Sequence, residues 1–183
     1  MSLPKPYFVY TFLLLALASA AYFHTAQAQT LQVGEMAPDF SLKNQHDKTV
    51  TLSQFKGHWV ILYFYPKDET PGCTTEACSF RDNINKLIAQ KATILGVSVD
   101  SVSSHKEFQT KHKLPFDLLA DKNGLVAKQY DSLLDLIVMK FAKRHTFIIN
   151  PEGRIAKIYT DVDPKEHVRI VLTDLKALQR SDH

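Results

Sequence analysis

The sequence predicts one α/β domain: a central mixed β-sheet with helices on both faces and an N-terminal hairpin extension. Three observations predict it. Residues 59–65 (WVILYFY) and 92–99 (ATILGVSV) are unbroken apolar, β-rich runs, the pattern of strands buried on both faces of a covered sheet. Each is followed by a helical segment; after the first, Phe80, Ile84, Leu87 and Ile88 recur at helical spacing. Residues 146–150 and 154–159 are strand-like runs joined by Asn150-Pro151-Glu152-Gly153, which has turn chemistry throughout.

The composition is that of a packed protein. Of 183 residues, 45% are apolar and 22% charged, which excludes disorder, collagen and a multi-span membrane protein. The 22 basic and 19 acidic side chains give a net charge of +3, too balanced for a dedicated nucleic-acid binder. Two cysteines exclude a four-cysteine zinc site and a dense disulfide scaffold. They leave one disulfide, one redox pair or two bystanders. The histidines show neither H-x-x-E-H nor H-E-x-x-H spacing, so no catalytic zinc is expected. No metal or other cofactor is expected.

Residues 1–28 read as a secretory signal peptide. Lys5 is their only charge, residues 7–23 are almost wholly apolar, and Ala26-Gln27-Ala28 is a small-x-small triplet. Cleavage after Ala28 is the preferred reading and an uncleaved anchor the alternative. Either way residues 29–183 form the exported domain, expected in the periplasm. Thiols there meet an oxidising environment.

Within the domain, residues 31–58 form the extension, a short hairpin with residues 49–52 as one arm. After the strand at 59–65, a helix spans about residues 73–89. The second strand leads to a helix at 101–112, capped by Ser103 or Ser104. Residues 118–120 are a short strand, Asn123-Gly124 a turn, and 125–130 a short helix. Asp163 caps the last helix, with Pro164 in its first turn and Glu166 three residues after the cap. Parallel strands joined by helical crossovers and closed by an antiparallel hairpin describe a thioredoxin-like arrangement.

The chemistry lies between the first buried strand and its helix. Residues 64–82 read FYPKDETPGCTTEACSFRD. Cys73 falls in the first helical turn, where free N–H groups and the helix dipole favour a thiolate. It is therefore expected to be reactive rather than a buried hydrophobe. Cys78 lies five positions later. In an intact helix the two Cα atoms are roughly 8–9 Å apart, beyond the ~4.4–6.8 Å a disulfide spans. Bonding requires the first turns to unwind, which suits a pair alternating between two states better than a structural bridge.

At this point the sequence resembles the peroxiredoxins, and within them the Q-type group, also called bacterioferritin comigratory proteins. Pro66-x-x-x-Thr70-x-x-Cys73 is similar to the active-site motif, and residues 70–82 look like its Q-type version with a nearby second cysteine. Residues 33–40 (VGEMAPDF) and 144–149 (RHTFII) resemble two further family segments. The likeness spans essentially all of 31–178. It implies an exported thiol peroxidase acting on hydrogen peroxide and small organic hydroperoxides. Cys73 would be the peroxidatic nucleophile, oxidised to a sulfenic acid. Thr70, Gly72 and backbone N–H groups near Cys73 would bind the peroxide. Arg144 would stabilise the thiolate and the charge developing on oxygen. Pro66 would shield the thiolate from water. Cys78 would resolve the sulfenic acid into a Cys73–Cys78 disulfide, reduced by a thioredoxin-like partner. Glu76 has two readings, an active-site hydrogen-bond partner or a solvated first-turn acid. Arg81 and Asp82 read as a local charge pair, and Trp59 as core.

Residues 131–143 depart from the Q-type pattern. Leu133, Leu134, Leu136, Ile137, Val138, Met139 and Phe141 make the stretch far more apolar than expected. A buried helix covering the sheet, a self-association interface and a docking surface for the reductant are the three readings. They leave the protein a monomer or weak homodimer. Two other functions compete on the same fold. A thiol–disulfide oxidoreductase would show Cys-x-x-Cys, which is absent. A copper-delivery protein would need two closely spaced soft ligands and a distant His.

Overall fold

The apolar run at β3 (Trp59–Phe64) forms an interior strand of a seven-stranded sheet in the computed structural model, which describes residues 30–136 and 138–181. Chain contacts separate Met1–Thr30 from Leu31–His183, and every element below belongs to the second unit. The signal segment expected at 1–28 lies outside the described residues, as does Ile137.

β3 pairs in parallel with β4 (Ala92–Ser98), and β4 in parallel with β5 (Asp117–Ala120). On the other side β3 pairs antiparallel with β8 (Thr146–Ile149), which pairs antiparallel with β9 (Ile155–Tyr159). The expected extension is present: β1 (Ser41–Asn44) and β2 (Thr49–Thr51) form a hairpin, and β1 joins the sheet along β5. Leu52 leaves that strand for a short 3-10 turn, Leu52–Phe55.

Side chains alternate along β3, so its two faces feed two cores. Trp59, Ile61 and Tyr63 pack with α1 (Pro71–Asp82), α2 (Ile84–Ala89), α3 (Val102–His112) and α5 (His167–Ser181). Val60, Leu62 and Phe64 pack with α4 (Leu125–Gln129) and the N-terminal segment. Gly96 pairs with Tyr63 across β3 and β4, and a Cβ there would lie 2.7 Å from the Tyr63 hydroxyl. Only glycine leaves room for that ring.

Four boundaries differ from expectation. The helix expected at 73–89 is two helices: Asn83 ends α1, and its side chain donates to the Ser79 carbonyl. Asn competes for backbone partners in this way. α3 is capped by Ser101, whose hydroxyl accepts from the Ser104 N–H, and not by Ser103 or Ser104. The last helix begins at His167; Asp163 instead organises the preceding turn, accepting the Lys165 N–H on its side chain. The fourth correction is the largest. The stretch after Asp131 is not a buried helix but a separate hairpin, β6 (Leu133–Leu136) with β7 (Met139–Ala142). Leu134, Leu136, Val138 and Met139 are exposed on it, Val138 by 90%. Alternation explains why the buried helix is not formed: a two-stranded ribbon has two faces, and here only Leu133 and Ala142 reach the core.

Candidate active site

The polypeptide leaves β3 through Tyr65 into a loop at residues 66–70 and re-enters helix at Pro71. Pro71 sits at the helix start, where its missing N–H costs nothing. Thr70 is the N-cap, with extended backbone, but its hydroxyl donates to the Lys67 carbonyl, 3.1 Å away, rather than capping the helix. Cys73 follows in the first turn, where backbone N–H groups have no intrahelical partner. Its side chain is only 1% exposed. Gly72, which adjoins it, and Pro66, seven residues earlier, are half-buried.

Arg144 reaches this turn from the neighbouring strand of the sheet. It precedes β8, the antiparallel neighbour of β3, so strand pairing delivers it to the carboxyl end of β3. Its Nη2 lies 3.3 Å from Cys73 Sγ and its Nη1 2.5 Å from Glu76 Oε2. Gly72 makes the approach feasible: a Cβ there would stand 3.2 Å from Arg144 Nη2 and 3.6 Å from Pro164. His145, next in the chain, turns the other way and contacts the Ser132 hydroxyl at 3.1 Å, as alternation requires.

Glu76 is fully buried, so of its two readings the hydrogen-bond partner is the one observed. Burial raises its pKa to about 7, against the opposing pull of Arg144. Burial also works against the Arg144 charge, but Glu76 and Cys73 outweigh it and hold the guanidinium protonated. One cation thus serves two groups able to carry negative charge. When Glu76 takes up a proton, the charge of Arg144 is left to the sulfur. His167 lies 4.0 Å from Glu76 Oε1 and 2.9 Å from the Thr146 hydroxyl. Burial, then Arg144, depress its pKa to about 4, so it is neutral.

Sequence reasoning missed a second buried network under the loop. Asp68 receives hydrogen bonds from the Tyr65 hydroxyl at 2.7 Å and the Ser104 hydroxyl at 2.7 Å, and contacts His105 Nδ1 at 2.9 Å. Burial pushes the Asp68 carboxyl up, but His105, Ser104 and Tyr65 together bring it below its usual value. The Asp68 N–H donates to Asp100 at 2.9 Å. These contacts pin the loop to the ends of β4 and α3. An Asp inside a turn-rich loop reads as solvated, and only the distant Ser104-His105 pair makes it otherwise.

Cys78 lies one and a half turns beyond Cys73 in the same unbroken helix, half-buried, and both are free thiols. The helical geometry that forbids their direct bonding is therefore present. Arg81 and Asp82 form the expected local pair, 2.8 Å apart, and Arg81 also donates to the His112 carbonyl. Trp59 is core. Among the described residues no group of three His, Cys, Asp or Glu could hold a metal, and no helix is long and apolar enough to cross a membrane.

A nucleophilic thiol, shut away from water, carrying a guanidinium contact at a helix start, is equipped to attack a polarised O–O bond. Comparison with known proteins agrees. A model of the AhpC/TSA family matches residues 33–158. Peroxiredoxin Bcp of Bacillus subtilis is 45% identical over 153 residues, covering 80% of this chain and 96% of that protein. Peroxiredoxin Q, chloroplastic, of Oryza sativa subsp. japonica is 42% identical over 146 residues, covering 79% and 67%. Among solved structures, the Xanthomonas campestris bacterioferritin comigratory protein matches with a TM-score of 0.74 at 34% identity, covering 80% of this chain and 96% of that one. The fold is that of these thioredoxin-like proteins, and the chain belongs to the AhpC/TSA family as a thiol-dependent peroxidase of the Bcp/peroxiredoxin Q group.

Proposed function

We propose that the protein reduces hydrogen peroxide and small organic hydroperoxides through Cys73 and Cys78. The observation that carries this reading is the buried Cys73 sulfur held against Arg144 in the first turn of α1. Cys73 thiolate attacks the nearer peroxide oxygen; the O–O bond breaks, the alkoxide or hydroxide leaves and takes a proton, and Cys73 becomes a sulfenic acid. Arg144 and the first-turn N–H groups, with Thr70 and Gly72 around the entry, stabilise the charge moving onto the departing oxygen. Pro66 keeps water from the sulfur. α1 then unwinds, the Cys78 sulfur bonds to the Cys73 sulfur, and water leaves. A thioredoxin-like dithiol reduces the disulfide by exchange. The Xanthomonas campestris protein's alkyl peroxide reduction activity supports the substrate class.

The apolar pattern of residues 1–28 supports export as a signal peptide or anchor, with residues 29–183 as the working domain. The rice relative carries a chloroplast designation, so members of this group are sent to different places. The exposed hairpin fits a monomer or a weak homodimer.

The test is peroxide consumption by the purified protein with and without a thioredoxin and its reductase. Turnover that needs the reductant and stops in Cys73→Ser is expected. Turnover by Cys73→Ser at a normal rate overturns the reading.

A further inference from the structure

The carboxyl end of α3 contacts the helix that carries both cysteines and the loop just before it. His112, its last residue, places Nδ1 4.0 Å from Cys78 Sγ. Its Nε2 lies 3.4 Å from the Glu69 carboxylate, which also receives Lys111 at 2.6 Å. Its backbone carbonyl accepts Arg81 Nη1 at 2.7 Å. The ring packs edge-on against Phe108, 5.0 Å between centroids, and its side chain is 17% exposed. Glu69 holds a positive φ of 62°, an uncommon conformation for a residue with a side chain. The loop therefore bends sharply to send this carboxylate towards α3.

We propose that His112 is the proton acceptor for Cys78 in the disulfide-forming step. The order carboxylate, imidazole, thiol matches what activates a nucleophile elsewhere: a base against the nucleophile and a third group orienting the base. With its proton on Nε2 facing Glu69, His112 presents the Nδ1 lone pair to the Cys78 thiol. The thiol proton passes to Nδ1 as the Cys78 sulfur bonds to the Cys73 sulfur. The S–O bond of the sulfenic acid breaks, and the leaving hydroxide takes a proton to become water. No further oxidant is needed, because the peroxide has already oxidised Cys73.

The anchors explain how the contact survives unwinding. Glu69 and Arg81 both hold the end of α3, one before Cys73 and one after Cys78. The segment between them can lose helix while its ends stay in place. Cys73 is the buried partner and Cys78 the half-exposed one, so Cys73 moves out to a Cys78 that remains at His112. The charged and titratable groups facing His112 are Glu69 from the loop, Cys78 and Arg81 from α1, with Asp82 on Arg81, and Lys111 from its own helix.

The inference rests on Cys78 as the resolving thiol, and the experiment separates the two. Wild type, His112→Gln and Cys78→Ser are each mixed with one equivalent of peroxide, and sulfenic acid and disulfide are followed by quenching and intact mass. In His112→Gln, oxidation of Cys73 should keep its wild-type rate while disulfide formation slows by about 10–100-fold at neutral pH, the scale of general-base catalysis. The deficit should shrink as pH rises, because hydroxide can then take the thiol proton in place of the imidazole, and added imidazole should restore part of the rate. Glu69→Gln should fall between His112→Gln and wild type. Disulfide formation by His112→Gln at the wild-type rate overturns the proposal. So does a slowing that is equal at every pH and deaf to imidazole, since that marks a structural role. A wild type that stops at the sulfenic acid, with Cys78 still open to alkylation, would instead overturn the underlying assignment of Cys78.

Discussion

Arg144 Nη2 stands 3.3 Å from Cys73 Sγ, though 71 residues separate them in the chain. The antiparallel pairing of β8 with β3 makes the contact, and Glu76 fixes the other arm of the same guanidinium. A planar fork can hold two partners at once, whereas an ammonium is a point charge. Arg144→Lys should therefore slow oxidation of Cys73 by about 10²–10³-fold, the scale of losing one preorganised donor. Stopped-flow rates with hydrogen peroxide measure it; a loss of less than about threefold would separate Arg144 from the chemistry.

Gly72 tests the same contact without touching either partner. Its substitution by Ala adds a Cβ 3.2 Å from Arg144 Nη2. The expected result is a folded protein whose peroxide step is roughly 10–100-fold slower, because small misplacements of a reacting group are costly. An unchanged rate would mean Arg144 has room to yield.

Glu76 provides a pH signature. Folded, it titrates at about 7 because of burial; unfolded, it titrates at about 4.3. The folded protein keeps this proton longer, so the contribution to stability is complete below about pH 4 and is lost as pH rises to about 7. Glu76→Gln removes the effect. From pH 5 to pH 8 the wild type should lose stability relative to the variant, by on the order of 3 kcal/mol. Parallel urea unfolding of both proteins across that range would read it, and parallel curves would contradict the buried titration.

Asp68 behaves oppositely. Its carboxyl is below its usual value, so its contribution is present above about pH 4 and lost as pH falls further. Asp68→Asn keeps one acceptor oxygen, so with that oxygen on Tyr65 it turns an NH2 group towards Ser104 and His105, and should cost about 3 kcal/mol, as breaking a buried pair does. The variant should also lack the acid limb of the wild type. Full stability in the variant would make the network dispensable.

The hairpin after Asp131 should tolerate polar change. Val138→Ser and Met139→Ser together alter side chains that are 90% and 57% exposed. Thermal unfolding should move by no more than about 0.5 kcal/mol per site. A loss of several kcal/mol would restore the buried helix that the structure replaces.

Much of this was legible in sequence. Continuous apolar runs marked β3 and β4, because only doubly covered strands dispense with polar positions. Cys73, Thr70 and Arg144 stood in recognisable motifs. What was hidden depended on packing between distant segments. Glu76 looked like any first-turn acid until α5 and Arg144 enclosed it. Asp68 needed Ser104 and His105 from α3. The stretch after Asp131 left a buried helix and an exposed surface both open, because an apolar run gives no sign of whether the fold has a core left for it to enter.

The central claim is that Cys73 is oxidised first and Cys78 resolves it. The most direct measurement is intact mass after one equivalent of peroxide, on wild type and on Cys78→Ser. Wild type should lose two hydrogens, with both thiols blocked to alkylation, while Cys78→Ser should gain one oxygen at Cys73. A wild type that keeps the added oxygen while Cys78 stays open to alkylation, or an oxygen found anywhere but Cys73, would contradict it.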